Sequence, residues 1–201
     1  MIVQIELESN IQFWYNPAMA IYKYTLLPTV LDPLLVIASG KGLVRIEFLQ
    51  KGYQSHTRAH QLVKELDPSA TLRQNNNAFK KLHRQLASYF TGQLEKFDVP
   101  VDLRGSDFQV DVWTNMLTIP FGKLHTYGRV AKDINRPAAT RAVGQAAAMN
   151  PLPLVVPCHR VIGSNGKLVG FAGGVHVKAQ LLRLEGHTVS AAMRISMPEL
   201  F

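Results

Sequence analysis

The sequence predicts an α/β protein of two units, a mixed α/β first half (1–104) and a mostly helical second half (105–190), followed by a tail (191–201). Three observations carry this reading. The first hundred residues hold β-rich runs bounded by glycine and then two amphipathic helical patterns. F-D-V-P-V-D-L-R-G-S (Phe97–Ser106) combines proline and glycine punctuation with charges, which marks a boundary. Beyond it the apolar spacing is helical, and two short helices flank a tight N-R-P break. That is helix-turn-helix spacing, which ordinary helical hairpins share.

In chain order, P-L-L-V-I-A-S-G-K-G-L-V-R-I-E-F-L (Pro33–Leu49) reads as two strands around Gly40-Lys41-Gly42, a hairpin signal. Ser55–Leu66 reads as a helix. Asn77–Thr91 reads as a second one, with Phe79, Leu82, Leu86 and Phe90 on one face and Gly92 stopping it. Nothing in this half reads as catalytic. His56 and His60 have a spacing that suits two ligands of one metal, but no third ligand is evident and Thr57 stands where a metalloprotease motif needs glutamate. A solvated helix face is the better reading.

In the second half, Ser106 starts a helix over Asp107–Leu117 that presents Phe108, Val112, Met116 and Leu117. Thr126 caps T-Y-G-R-V-A-K-D-I, and Pro137 opens a helix running to Asn150. Seven of the thirteen residues after Pro137 are Ala or Gly, and Arg141 projects from the first turns. A helix this smooth lacks the long polar side chains that read base edges in the major groove. It can meet DNA by close packing and shape, or simply pack against its neighbour. L-P-L-V-V (Leu152–Val156) reads as a short buried strand, and Gly163–Gly174 as a loop whose backbone approaches something closely. The tail A-A-M-R-I-S-M-P-E-L-F either packs on the core or dangles.

Bulk properties narrow the function classes. The apolar share of 47% and charged share of 18% are those of a soluble globular protein. The single cysteine, Cys158, excludes an internal disulfide framework or a thiolate metal cluster and fits a reducing, cytoplasmic setting. M-I-V-Q-I-E-L-E-S-N carries acids where a signal peptide needs bases, and no apolar run approaches the roughly 20 residues of a membrane span. The net charge is +8 and leans to the second half, with 10 basic and 5 acidic residues from Ser106 onward. With a pI near 9.7 this is a footprint of polyanion binding, weak by itself because many basic proteins bind nothing acidic.

The chemistry concentrates in V-V-P-C-H-R-V-I-G (Val155–Gly163). Free cysteine often serves as a small buried hydrophobe. A reactive role needs the thiolate, and ionising an ordinary thiol fully at neutral pH gains only about 2 kcal/mol, which adjacent basic groups can supply. Larger accelerations come from holding the substrate in line, worth up to about 7–11 kcal/mol. His159 is the evident base, but neighbouring side chains on a strand point to opposite faces, so a bridging water or a bend is needed. Glu185, in K-A-Q-L-L-R-L-E-G-H, is the only carboxylate between Cys158 and the tail and is placed to orient the histidine. Leu181, Leu182 and Leu184 around it point to a partly buried acid in need of a partner. Arg160 need not touch the chemistry.

These stretches together resemble the O6-alkylguanine-DNA alkyltransferases, repair proteins that are used once. The resemblance runs from about Asp107 to His187 through I-P-F-G, T-Y-G, R-A-V-G-Q-A, the N-P-x-P-x-x-x-P-C-H-R-V-I block, G-F-A-G-G and L-L-R-L-E-G-H. It extends more loosely into R-Q-L-A-S-Y-F-T-G-Q-L-E-K-F-D-V-P-V-D-L-R-G. It implies a ribonuclease H-like first domain and a winged-helix-like second domain whose helix-turn-helix enters the minor groove of duplex DNA. Cys158 would take a methyl or other alkyl group from O6 of guanine, with O4 of thymine a further substrate, and keep it as a thioether. His159 would relay the proton through a water, held by Glu185, and Tyr127 would donate to guanine N3. Arg141 would fill the gap left by the flipped nucleotide, with Thr140, Ala142 and Gly144 of the same helix also at the DNA. Asn150 would brace the turn before the active-site segment, and the carbonyls of Cys158 and Val161 would read the guanine amino group. No cofactor or metal is implied, and the protein is expected to act as a monomer without a membrane. Two departures matter. Phe171 stands where many relatives have tyrosine, and Ala172 where many have serine, so an apolar wall and a backbone N–H remain and an altered alkyl preference is expected. A cysteine hydrolase, or a DNA-binding sensor without chemistry, are the rival classes.

Overall fold

The computed structural model describes residues 20–49 and 54–195, together with two strands near the start, β1 (Val3–Ile5) and β2 (Phe13–Tyr15), which pair antiparallel. The remainder of M-I-V-Q-I-E-L-E-S-N and tail residues 196–201 lie outside the described residues. A four-stranded sheet forms the first domain, in the order β5-β4-β3-β6, from β3 (Ile21–Leu27), β4 (Leu34–Ala38), β5 (Leu43–Phe48) and β6 (Thr71–Gln74). The expected hairpin is β4–β5, antiparallel about the turn at Ser39–Gly42. A Cβ on Gly42 would lie 2.6 Å from the Pro100 carbonyl oxygen, so only glycine lets the interdomain segment lie this close to β5. The main chain is pinned there, with the Leu43 amide donating to Pro100 and the Asp102 amide to Leu43. Strand β6, parallel to β3, was not foreseen, because T-L-R-Q has no periodicity long enough to read.

Alternation along β3 sorts side chains between two cores. Tyr22 and Tyr24 pack with Ala59, Leu62 and Val63 of α1 (Ser55–Leu66) on one face of the sheet. Leu27, Val36, Leu43 and Ile46 pack with Leu82, Leu86 and Tyr89 of α2 (Lys80–Phe90) on the other. This second core continues without interruption into Val112, Trp113 and Met116 of α3 (Asp107–Met116), so the two domains share a hydrophobic interior. Helix α3 begins at Ser106 with a reciprocal capping box to Gln109, which satisfies two otherwise orphaned amides. His56 and His60 are exposed on α1, with ring centroids 5.8 Å apart.

Past I-P-F-G, β7 (His125–Thr126) runs into α4 (Tyr127–Asp133), where the Thr126 hydroxyl caps the helix by accepting from the Arg129 amide. The turn holds Asn135 at φ 58°, a left-handed conformation that asparagine tolerates. One 3₁₀ turn at Pro137–Ala139 then leads into α5 (Thr140–Ala148). Helices α4 and α5 form the helix-turn-helix, and the Trp113 indole on α3 donates to the Ala146 carbonyl at 2.8 Å to hold α5 in place. Two-residue β8 (Val161–Ile162) pairs parallel with β7, and α6 (Val175–Leu184) closes the domain.

The segment expected to be a strand, Leu152–Val156, is instead a tight turn with Leu154 at φ 76° and a single bridge between Pro153 and Val156. Three prolines, at 151, 153 and 157, lack the amides a ladder needs. Every residue from 151 to 162 is buried all the same. The tail packs as far as Ile195, which is 3% exposed and joins Leu124, Ile162 and Leu168 in a small core. No helix among the described residues is long and apolar enough to cross a membrane.

Candidate active site

Cys158, His159 and Arg160 occupy one 3₁₀ turn, not a strand, so their side chains fan out around the turn rather than alternating between two faces. The thiol is 6% exposed and lies at a cavity of about 200 Å³ bounded by Tyr127, Gly144, Ala147, Ala148, Val169 and Gly170. The small residues of α5 therefore form one wall of the pocket that holds the thiol, and Tyr127 at the start of α4 forms another. A Cβ on Gly144 would sit 3.9 Å from the Tyr127 ring.

Burial pushes the Cys158 thiol up from its ordinary range, against a hydrogen bond from Asn150 and the charge of Lys178. The resting group is thus a thiol. Adjacent basic residues were expected to ionise it, but both are turned elsewhere, toward Glu185. The His159 ring is wholly buried, with Nε2 2.9 Å from Glu185 Oε1. Burial keeps its pKa below the ordinary imidazole value even beside the carboxylate, so the ring is neutral at pH 7. Burial alone would raise the Glu185 carboxyl, but the hydrogen bonds and charges of His159 and Arg160 outweigh it and hold the group at about 2. An ionised Glu185 can only accept, so Nε2 carries the ring proton. Nδ1 is left as an unprotonated acceptor, buried and without a hydrogen-bond partner among the described residues.

Arg160, set aside by the sequence reading, is central to this arrangement. Its Nε donates to Glu185 Oε2 at 2.9 Å, its Nη2 to Oε1 at 2.9 Å, and its Nη1 to the Ile119 carbonyl at 2.6 Å. A buried carboxylate with one histidine partner needs further donors, and the neighbouring arginine was the available one. The Gly122 amide adds another at 3.1 Å. The first domain also reaches in: Tyr89 of α2 donates to Glu185 Oε1 at 2.7 Å and lies 3.3 Å from His159 Nε2. The signal for Tyr89 was its place with Leu82 and Leu86 on the buried face of its helix, where a hydroxyl needs a partner.

Asn150 is buried just past the end of α5. Its amide donates to the Val156 carbonyl at 2.9 Å and to Cys158 Sγ at 3.1 Å, and its oxygen accepts from the Leu152 amide at 3.0 Å. With the Val156 amide donating to the Leu152 carbonyl, this side chain stands in for the ladder that the prolines forbid. Asn150→Ala leaves the Leu152 amide and the Cys158 sulfur without this partner, while the Val156 carbonyl keeps the Cys158 amide, and it is expected to lower stability by about 1–3 kcal/mol, read from the urea midpoint at unchanged m-value.

Lys178, also missed, is wholly buried on α6. Its Nζ donates to the Val161 carbonyl at 2.6 Å and to Val169 at 3.1 Å, tying β8 to the glycine-rich loop. Burial pulls its ammonium down to about 8, offset in part by Cys158. The Val161 carbonyl therefore already holds one donor. Phe171 lies against Phe48 and His159, with ring centroids 5.7 and 6.2 Å away, rather than on the thiol's cavity. Ala172 lines a separate groove with Arg45, Phe48 and Arg58. Thr140 and Arg141 are exposed on α5, and Ala142 is half-buried. No group of three or more His, Cys, Asp or Glu side chains among the described residues is placed to hold a metal.

A protonated thiol in a small pocket beside a helix-turn-helix, with a tautomer-fixed histidine behind it, is the kit of a nucleophilic group transferase. The family models agree. Residues 107–187 match the 6-O-methylguanine DNA methyltransferase DNA-binding domain, and residues 22–103 match the ribonuclease-like domain of the same family. The methylated-DNA–protein-cysteine methyltransferase of Methanosarcina acetivorans is 40% identical over 163 residues, 81% of this chain and 97% of that protein. Its Mycobacterium bovis namesake is 42% identical over 162 residues, 81% of this chain and 91% of that one. Among solved structures, Mycobacterium tuberculosis OGT in complex with DNA matches with TM-score 0.70 and 40% identity, over 82% of this chain and 93% of that chain. The chain belongs to the 6-O-methylguanine DNA methyltransferase family.

Proposed function

We propose that the protein repairs duplex DNA by moving the alkyl group of O6-alkylguanine onto Cys158, once per molecule. The observation that carries this is the division of labour in the buried turn. The thiol is neutral and held by Asn150, while the nearby histidine presents an unpaired Nδ1 and keeps its proton on Nε2. No hydrogen bond joins Cys158 to His159 among the described residues, so a water carries the proton between them. As sulfur attacks the alkyl carbon, the S–C bond forms and the C–O6 bond breaks with its electron pair on the base. The thiol proton passes through water to His159 Nδ1, and the guanine anion takes up a proton to end as ordinary guanine. The imidazolium formed sits against Glu185, whose charge stabilises it. Tyr127 is held in its neutral, donating form because burial pushes its phenol up to about 12, which suits donation to guanine N3.

The nucleotide must leave the stack to reach a thiol this buried, at a cost of a few kcal/mol. Arg141 is exposed on the first turns of α5 and is the side chain placed to occupy the vacated space, with Thr140, Ala142 and Gly144 against the minor groove. Arg141→Ala is therefore expected to slow repair of duplex substrate about 10- to 100-fold while leaving alkyl transfer from the free base O6-benzylguanine unchanged. Equal losses on both substrates would refute that role. Phe171 and Ala172 directly follow Val169 and Gly170, which line the thiol's cavity, so their influence on alkyl preference is exerted through the position of that loop.

The reading is tested by counting. Guanine restored in an O6-methylguanine duplex should plateau at one equivalent per protein molecule, since a thioether has no route back to thiol. Continued turnover would instead favour a hydrolase, and no restoration at all a sensor.

A further inference from the structure

We propose that Tyr89, contributed by the first domain, is a positioning residue of the transfer site. Its hydroxyl shares the charge of the Glu185 carboxylate and so sets how tightly that carboxylate holds a proton on His159. The proposal rests on the alkyl-transfer reading above and deepens it, because the domain with no nucleophile then tunes the proton acceptor.

The geometry constrains where the protons are. Tyr89 has one hydroxyl proton, and it points to Glu185 Oε1 at 2.7 Å. Toward His159 Nε2, 3.3 Å away, the phenol therefore offers a lone pair. Nε2 thus faces two oxygens that accept, from Glu185 and Tyr89, and its proton is fixed there from both sides. The Tyr89 ring is wholly buried among Phe90, Phe97 and Phe121, at centroid distances of 5.5, 5.3 and 6.1 Å. This apolar packing aims the hydroxyl and shields it from water. The charged and titratable groups around the imidazole are Glu185 after α6, Arg160 on its own turn, Lys178 on α6 and Tyr89 on α2.

Glu185 Oε1 accepts from Tyr89, His159 and Arg160 together. Removing the phenol hydroxyl concentrates the carboxylate charge on the remaining donors, which strengthens its hold on an imidazolium. A charged imidazole has no free Nδ1 with which to take the thiol proton. Tyr89→Phe keeps the ring and its packing, and is expected to move the acid limb of the single-turnover rate upward by about one pH unit.

The experiment measures methyl transfer at saturating O6-methylguanine oligonucleotide from about pH 5 to 8 for wild type, Tyr89→Phe and Phe97→Leu. Phe97→Leu loosens the same aromatic cluster but keeps the hydroxyl, so it should lower stability and leave the limb in place. A limb unmoved in Tyr89→Phe, or moved equally in Phe97→Leu, overturns the proposal. If Tyr89→Phe does not fold, protein carrying 3-fluorotyrosine at position 89 alone decides: its more acidic phenol donates more strongly to Glu185, so a limb moved to lower pH supports the proposal and an unmoved one overturns it. Wild-type methyl uptake at Cys158 is scored in the same samples. Its absence sinks the alkyl-transfer reading, whereas uptake with an unmoved limb sinks the Tyr89 proposal alone.

Discussion

Cys158→Ala is expected to take up no methyl group at all from O6-methylguanine DNA, while binding the same duplex as tightly as the unsubstituted protein. In the proposed transfer the thiol sulfur forms the new bond, and no neighbouring side chain is placed to substitute for it. The neighbouring hydroxyl of Tyr127 is held neutral by burial, and Lys178 is committed to the carbonyls of Val161 and Val169. The substitution is mild for the fold, because Asn150 loses one acceptor but keeps the Val156 carbonyl. The expected stability cost is about 1 kcal/mol. Binding measured by fluorescence anisotropy and methyl removal measured on the oligonucleotide should therefore separate completely. Any residual removal by this variant would place the acceptor elsewhere.

Glu185→Gln is expected to damage both stability and transfer. The Glu185 side chain is fully buried and is, among the described residues, the sole counter-charge of the buried Arg160 guanidinium. Removing the charge strands the arginine in the interior at a cost of about 3–5 kcal/mol. The pH dependence has a definite sign. The folded carboxyl titrates at about 2 against an ordinary value of 4.5. Its contribution is thus fully present above about pH 4.5 and disappears as pH falls through about 2, amounting to about 3 kcal/mol. The stability gap between wild type and Glu185→Gln should narrow over that acidic window and stay constant above it. A gap that does not change with pH would mean that the carboxylate is not what Arg160 needs. Transfer should fall about a hundredfold or more at neutral pH, because the amide can offer Nε2 a donor as easily as an acceptor and no longer fixes the histidine tautomer.

Much of this was legible in the residues. Helix α1 runs over Ser55–Leu66 as its apolar spacing predicts, and the caps at Ser106 and Thr126 start helices where their hydroxyls have amides to satisfy. Local rules sufficed there because the partners lie within one turn. Leu152–Val156 misled because buried apolar runs suggest strands, whereas the prolines and Asn150 make a turn closed by the Val156 amide on the Leu152 carbonyl and braced by one side chain. His159 and Glu185 could be paired in advance, since the acid was the only one available. Tyr89, Arg160 and Lys178 were not, and the reason is common to all three. Each satisfies a buried polar partner across 9 to 96 positions of sequence, and such partners are set by tertiary packing, within the second domain for Arg160 and Lys178 and between the domains for Tyr89. Tyr89 was the hardest, because the first domain carries no other chemistry and its helix reads as an ordinary amphipathic one.

The most direct test of the account is the intact mass of the protein after incubation with an O6-methylguanine duplex, followed by peptide mapping. One methyl in place of one hydrogen, once per chain and confined to the peptide holding Cys158, is the predicted result. An unchanged mass alongside restored guanine, or a methyl group found on any other peptide, would contradict it.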